Sequence, residues 1–245
     1  MKLFFNHGPA SNSEIEKQMM NRSEWVFYQQ PKWSQDQTYL SQLKGDVNEF
    51  FKKYEDQNIE VVAHSLGALI IQMLPEVSLK KVKKITYLSP TLDFFESITT
   101  MMKFVLEKNA DSRAEEMLKR WPIIVKERST ESFFPYFQEF VTLEPNYFQY
   151  YFSKPEVFKL FIEHSKTAAP VHEPTLYKAV AELINSTTPE FILHENTTLI
   201  IGKHDILFEP SMIKKAKQAV CAQSFYELDA AHFPHLEIPD LLDNF

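Results

Sequence analysis

Glycine is scarce in this chain. Four occur among 245 residues, Gly8, Gly45, Gly67 and Gly202, where average usage would give about 17. Glycine costs backbone entropy and is kept where only it fits; three of the four stand at the ends of apparent strands. Cysteine is scarcer still. Cys221 is alone, which excludes an intramolecular disulfide and fits a reducing, cytoplasmic compartment. Positive charge is in deficit, with 26 Lys and Arg against 33 Asp and Glu and a net charge of −7. Nucleic-acid binding rests on clustered Lys and Arg and is not expected. No apolar run approaches the ~18 residues of a membrane span, and the apolar stretch in residues 1–6 is too short for a secretory signal.

What remains is an ordinary globular composition, 44% apolar and 24% charged, long enough to bury a core without disulfides or metal. Short apolar runs at residues 3–5, 25–28, 59–63, 82–88, 198–201 and 224–228 read as strands. Helical patterns alternate with them. Ser13 and Glu16 form the capping-box pattern before a short helix to about residue 20. Tyr39, Leu43, Val47, Phe50, Phe51 and Tyr54 recur at helical spacing within 34–54, residues 66–74 are apolar up to Pro75, and 211–219 lie between the last two strands. This alternation predicts an α/β fold of about six mostly parallel strands with helices on both faces.

Residues 92–191 break the rhythm. They read as helices separated by Pro122, Pro135, Pro145, Pro155, Pro170 and Pro174, and half of the chain's aromatic side chains lie between Phe94 and Tyr177. The organisation expected is a core of 1–91 and 192–245 interrupted by a helical insertion. Many of the aromatics serve the insertion's own packing. Phe133, Phe134, Phe137, Tyr147, Phe148 and Tyr151 are the candidates for lining an apolar substrate pocket over the carboxyl edge of the sheet, where open α/β folds bind ligands.

The chemistry centres on Val61-Val62-Ala63-His64-Ser65-Leu66-Gly67. A serine fits a sharp strand-to-helix turn only if the residues two before and two after it are small. That turn exposes the hydroxyl beside the N–H groups of a helix start, which can hold developing negative charge. The segment resembles the nucleophile elbow G-x-S-x-G of the α/β-hydrolase superfamily, with Ala63 in place of the first Gly and His64 at a variable position. That superfamily runs nucleophile, acid, histidine along the chain. Here Gly202-Lys203-His204-Asp205 follows the fifth strand and Asp229-Ala230-Ala231-His232-Phe233-Pro234-His235-Leu236-Glu237 the sixth; the latter is similar to the family's G-H-F-x-x-x-E loop.

The resemblance implies Ser65 as nucleophile, Asp205 as acid and His232 as base. Asp93, after the fourth strand, is the alternative acid. It also implies that Leu66 N–H and the loop Asn6-His7-Gly8-Pro9-Ala10 form an oxyanion hole. The residue that would carry the loop's N–H aligns with Pro9, which has none, so the donor shifts to Gly8 or Ala10 or is lost. Because residue 3 already begins the strand leading to His7-Gly8, a reduced form of the fold is implied, with 92–191 in the place of the family's helical cap.

The activity implied is hydrolysis of a carboxylic ester of a small or apolar substrate through an acyl-enzyme. Thioesterase, lactonase and C–C hydrolase chemistry use the same three groups, and a binding protein on a hydrolase scaffold is the reading from another class. Ser at the nucleophile position argues against the haloalkane dehalogenases and epoxide hydrolases, which the family resemblance places with Asp there. His204, Asp205, His232 and His235 lack metal-site spacing, so neither metal nor cofactor is expected. Lys80-Lys81-Val82-Lys83-Lys84 reads as a solvated loop, or as a docking patch for an acidic carrier protein.

Overall fold

The structure, a computed structural model, describes residues 1–5, 8–9, 11, 13–32, 36–54, 56–91, 93–186, 196–219 and 224–244. Six strands form one sheet: β1 (Lys2–Phe5), β2 (Val26–Phe27), β3 (Ile59–His64), β4 (Val82–Leu88), β5 (Thr197–Gly202) and β6 (Phe225–Leu228). They lie in the order β2-β1-β3-β4-β5-β6, and every pairing is parallel. A parallel sheet is covered on both faces, so successive residues in the middle of it are buried on either side rather than alternating with solvent. Leu3, Phe5, Val61, Ala63, Ile85, Tyr87, Leu199 and Ile201 feed the larger core. Phe4, Val62, Leu88 and Ile200 point the other way, against Trp25, Phe27, Leu241 and Leu242.

Helices α1 (Glu14–Met20), α2 (Tyr39–Lys52), α3 (Gly67–Gln72), α4 (Glu76–Leu79), α10 (Pro210–Ala219) and α11 (Pro234–Glu237) pack around this sheet. Between β4 and β5 run α5 (Phe94–Lys108), α6 (Ser112–Glu127), α7 (Thr130–Leu143), a 3-10 turn (Tyr147–Tyr151), α8 (Pro155–Ser165) and α9 (Glu173–Asn185). The packing of these helices is continuous with that of the sheet. Phe95, Met101, Val105, Phe133, Phe140 and Leu183 belong to the same buried cluster as β1, β3 and β4. The carboxylate of Glu182 on α9 even caps α2, accepting from the N–H groups of Tyr39 and Leu40 at 2.6 and 3.0 Å.

Several local expectations are corrected. Ser13 ends in front of α1 without capping it; its hydroxyl donates instead to Tyr28 O at 2.7 Å, which ties α1 to the end of β2. Helix α2 begins at Tyr39, capped by the Thr38 hydroxyl, which accepts from Ser41 N–H. Pro75 stops α3, yet a further turn, α4, follows at once. Pro122 and Pro135 lie inside α6 and α7 rather than between helices. A proline in a helix interior costs roughly 3 kcal/mol. Burial of Met117 and Ile124 on α6, and of Phe133, Tyr136 and Phe140 on α7, outweighs it. Pro155 and Pro174 occupy first-turn positions of α8 and α9, where the missing N–H has no helical partner to lose.

Candidate active site

In a parallel sheet every strand ends on the same rim, and here that rim carries the candidate residues. Ser65 follows β3 with φ of 51°. A left-handed serine is strained by roughly 1–2 kcal/mol, so the surroundings must hold it. Its N–H donates to Leu88 O at 3.0 Å, and its carbonyl accepts from Thr91 and Ala68 N–H, each at 3.0 Å. Leu66 follows in helical conformation at the mouth of α3, where first-turn N–H groups have no helical acceptor. Ala63 is fully buried, as the tight turn requires.

Asp205 stands on the turn after β5, which its N–H closes onto Gly202 O at 3.2 Å. One carboxylate oxygen accepts from Leu207 N–H at 3.0 Å; the other lies 2.8 Å from Nδ1 of His232. The His232 and Asp205 side chains are 1% and 0% exposed. A buried carboxylate beside Nδ1 places the imidazole proton there and leaves Nε2 as the basic nitrogen. The alternative acid, Asp93, is occupied elsewhere: it caps α5 through Glu96 N–H and pairs with Arg128 at 2.8 Å.

The histidine loop is pinned from two sides. From the core, His64 Nε2 donates to His232 O at 2.7 Å, and the two rings lie 4.9 Å apart. This contact brings the residue before Ser65 against His232. From the inserted helices, Tyr151 O accepts His232 N–H at 3.0 Å, and its ring meets the imidazole edge-on at 5.1 Å. Burial pushes the Tyr151 hydroxyl well above its usual range. Glu237, also buried, accepts from Ser153 N–H and hydroxyl and from Ala231 N–H, while Lys154 Nζ donates to Glu237 O. Phe152 stacks on Phe233 at 4.6 Å.

Ser65 Oγ is hydrogen-bonded to Thr91 Oγ1 at 2.9 Å. Among the described residues no hydrogen bond joins it to His232. On the opposite side, Gly8 N–H is already bonded to Ser11 Oγ at 3.1 Å, Pro9 has no N–H, and Ala10, with Asn6 and His7, lies outside the described residues. Cys221 lies outside them too. His204 faces outward and pairs with Asp229 at 2.9 Å, which holds that carboxyl below its usual range. His235 packs its ring on His64 at 4.5 Å. Among the described residues no group of His, Cys, Asp and Glu has metal-binding geometry, and no helix is long and apolar enough to cross a membrane.

The six aromatic candidates divide. Tyr151 and Phe148 reach the histidine loop, Phe148 lying 6.1 Å from Phe233. Phe133 and Phe137 stack at 5.6 Å within the inserted helices, Phe134 stacks on Tyr177, and Tyr147 packs on Phe140. A cavity of about 1100 Å³ opens behind Asp205, lined by other aromatics, among them Phe104, Tyr150, Phe152 and Phe158. Residues 80–84 lie where β4 begins, at the opposite rim of the sheet from Ser65.

Four participants are not singled out by the sequence. His64 stands at a variable position of the elbow, and Glu237 reads only as part of the histidine string. Thr91 and the Tyr151 carbonyl carry no local signal, since each acts through a partner distant in the chain.

A family model described as the alpha/beta hydrolase fold matches residues 26–239. No curated protein sequence matches the chain. Among solved structures it is similar to a proline iminopeptidase-related protein from Thermus thermophilus, with 12% identity, TM-score 0.63, and coverage of 99% of this chain and 85% of that one. It is also similar to MenH from S. aureus, with 14% identity, TM-score 0.58, and coverage of 100% and 91%. An esterase from Exiguobacterium antarcticum gives 13% identity, TM-score 0.58, and coverage of 100% and 87%.

Proposed function

The chain belongs to the α/β-hydrolase fold family, and from that premise we propose that it is a serine hydrolase cleaving a carboxylic ester of a small or apolar substrate through an acyl-enzyme. Ser65 Oγ attacks the carbonyl carbon as its proton passes to His232 Nε2. The proton then goes to the departing alcohol, and the ester carbon stays on Oγ. Water, deprotonated by the same nitrogen, releases the acid. Asp205 holds the imidazole tautomer and stabilises its cationic form. Leu66 N–H receives the oxyanion. Residues 92–191 act as the cap, with Tyr151 and Phe148 nearest the reacting groups, and the protein works in the cytoplasm.

The observation that carries this reading is the buried Asp205–His232 pair, 2.8 Å apart, held against the strained turn that presents Ser65. The esterase among the similar structures agrees with it. Thioester, lactone and C–C substrates remain variants of the same chemistry, separated by a substrate panel.

One observation favours a second reading, a binding protein with lost catalysis: on the loop after β1, Gly8 N–H is taken by Ser11 and Pro9 offers none. A missing oxyanion donor costs on the order of 100- to 1,000-fold in rate. The test is hydrolysis of p-nitrophenyl esters of graded acyl length, with fluorophosphonate labelling. Ser65→Ala should abolish labelling and lower turnover at least about 1,000-fold. No turnover and no labelling by the unmodified protein would select the binding protein, and full activity in Ser65→Ala would end the mechanism.

A further inference from the structure

We propose that Thr91 is a further catalytic residue, whose hydroxyl donates a hydrogen bond to Ser65 Oγ and stabilises the negative charge that grows there as the serine gives up its proton. The inference rests on the reading of Ser65 as nucleophile. The two oxygens are 2.9 Å apart and both residues are buried. Thr91 is aimed by its backbone: its own N–H is bonded to Ser65 O at 3.0 Å, so the two residues are joined by main chain and side chain alike. The turn that delivers it is strained and fixed. Ser89 has φ of 42° with its N–H on Ile200 O at 2.7 Å, and Pro90 follows with φ locked by its ring. Threonine is β-branched and stiff at χ1, so little freedom remains to lose when the bond forms.

The bookkeeping of protons gives this contact a direction. Ser65 Oγ has one proton and two lone pairs. Once that proton is directed to His232 Nε2, Thr91 is left only the role of donor. As Oγ attacks, the O–H bond of Ser65 breaks, the proton goes to Nε2, the new C–O bond forms, and the carbonyl π pair moves onto the carbonyl oxygen, which Leu66 N–H receives. Thr91 keeps its proton throughout. A hydrogen bond to an oxygen gaining charge is stronger than one to a neutral hydroxyl, so it strengthens toward the transition state and accelerates the step. In the acyl-enzyme Oγ becomes an ester oxygen, a poorer acceptor. The bond strengthens again when Oγ departs during deacylation. Thr91 thus serves both half-reactions.

The experiment compares Thr91→Val, which swaps the hydroxyl for a methyl of similar size, with Thr91→Ser, which keeps it. The expected result for Thr91→Val is a roughly 10- to 100-fold loss of kcat and of the rate of fluorophosphonate labelling, with KM little changed. Thr91→Ser should recover activity to within about threefold. If the valine variant does not fold, Thr91→Ala against Thr91→Ser isolates the hydroxyl at matched backbone. Wild-type kcat and labelling in Thr91→Val, or equal loss in the serine and alanine variants, would overturn the proposal. Ser65→Ala is run alongside. An inactive Ser65→Ala beside an unimpaired Thr91→Val removes Thr91 alone, whereas an active Ser65→Ala, or an unmodified protein that is neither active nor labelled, removes the nucleophile and Thr91 with it.

Discussion

Gly202 offers the sharpest test of how closely the rim is assembled. It ends β5 with an ordinary backbone conformation, so it is not there for a left-handed turn. It is there for room. A Cβ at this position would lie 2.1 Å from Ala231 O, 2.4 Å from Ala230 O and 2.8 Å from Ala230 C. The first is about 1.3 Å short of ordinary contact, and all three atoms are main chain, so no rotamer change relieves the clash. The loop cannot yield without cost. His204 N–H holds Ala230 O at 3.0 Å, Glu237 holds Ala231 N–H, and Tyr151 holds His232 N–H. Gly202→Ala should therefore push 230–232 outward and carry His232 off Asp205. Overpacking of this kind costs about 1–3 kcal/mol, which for a chain of this length lowers Tm by roughly 2–12 °C. A misplacement near 1 Å costs on the order of 100-fold in rate. The assays are thermal melting and kcat/KM on the best p-nitrophenyl ester. A variant as stable and as active as the parent would refute the close approach and the geometry argued from it.

Two further outcomes are expected. Gly45 lies within α2 with nothing inside 4 Å of its would-be Cβ, so Gly45→Ala should raise stability by about 0.5–1 kcal/mol; a lower Tm would show that the space is not open. Burial raises the hydroxyl pKa of Tyr28, Tyr87 and Tyr151. Their native forms hold protons that the unfolded chain releases near pH 10, so the stability they contribute is present below that pH and lost as pH rises beyond it. Tm should fall above about pH 10, and less steeply in Tyr87→Phe; an equal slope in the variant would count against the assignment.

The strands and the order of Ser65, Asp205 and His232 are legible in the sequence because each depends on local requirements. Continuous apolar runs mark a sheet covered on both faces, and a serine between Ala63 and Gly67 marks a turn that larger neighbours would block. Thr91, Glu237 and the Tyr151 carbonyl are not legible. Glu237 meets Ser153 across 84 residues, a juxtaposition that no periodicity encodes. The corrected details have a shared cause. The Ser13 hydroxyl donates to Tyr28 O across the fold instead of accepting from a first-turn N–H of α1, and Pro122 and Pro135 are tolerated because buried neighbours outweigh a lost helical hydrogen bond.

The clasp between Glu237 and residues 153–154 has a practical corollary for engineering. Since the amide of His232 leans on Tyr151 and the carboxylate beside it on Ser153, a trimmed version lacking the inserted helices would not be a leaner catalyst with a wider mouth. It would leave a buried acid and a main-chain amide stranded at the spot where alignment matters most. Attempts to broaden substrate scope therefore belong at exposed positions of the inserted helices rather than at residues 151–154, which hold the histidine loop.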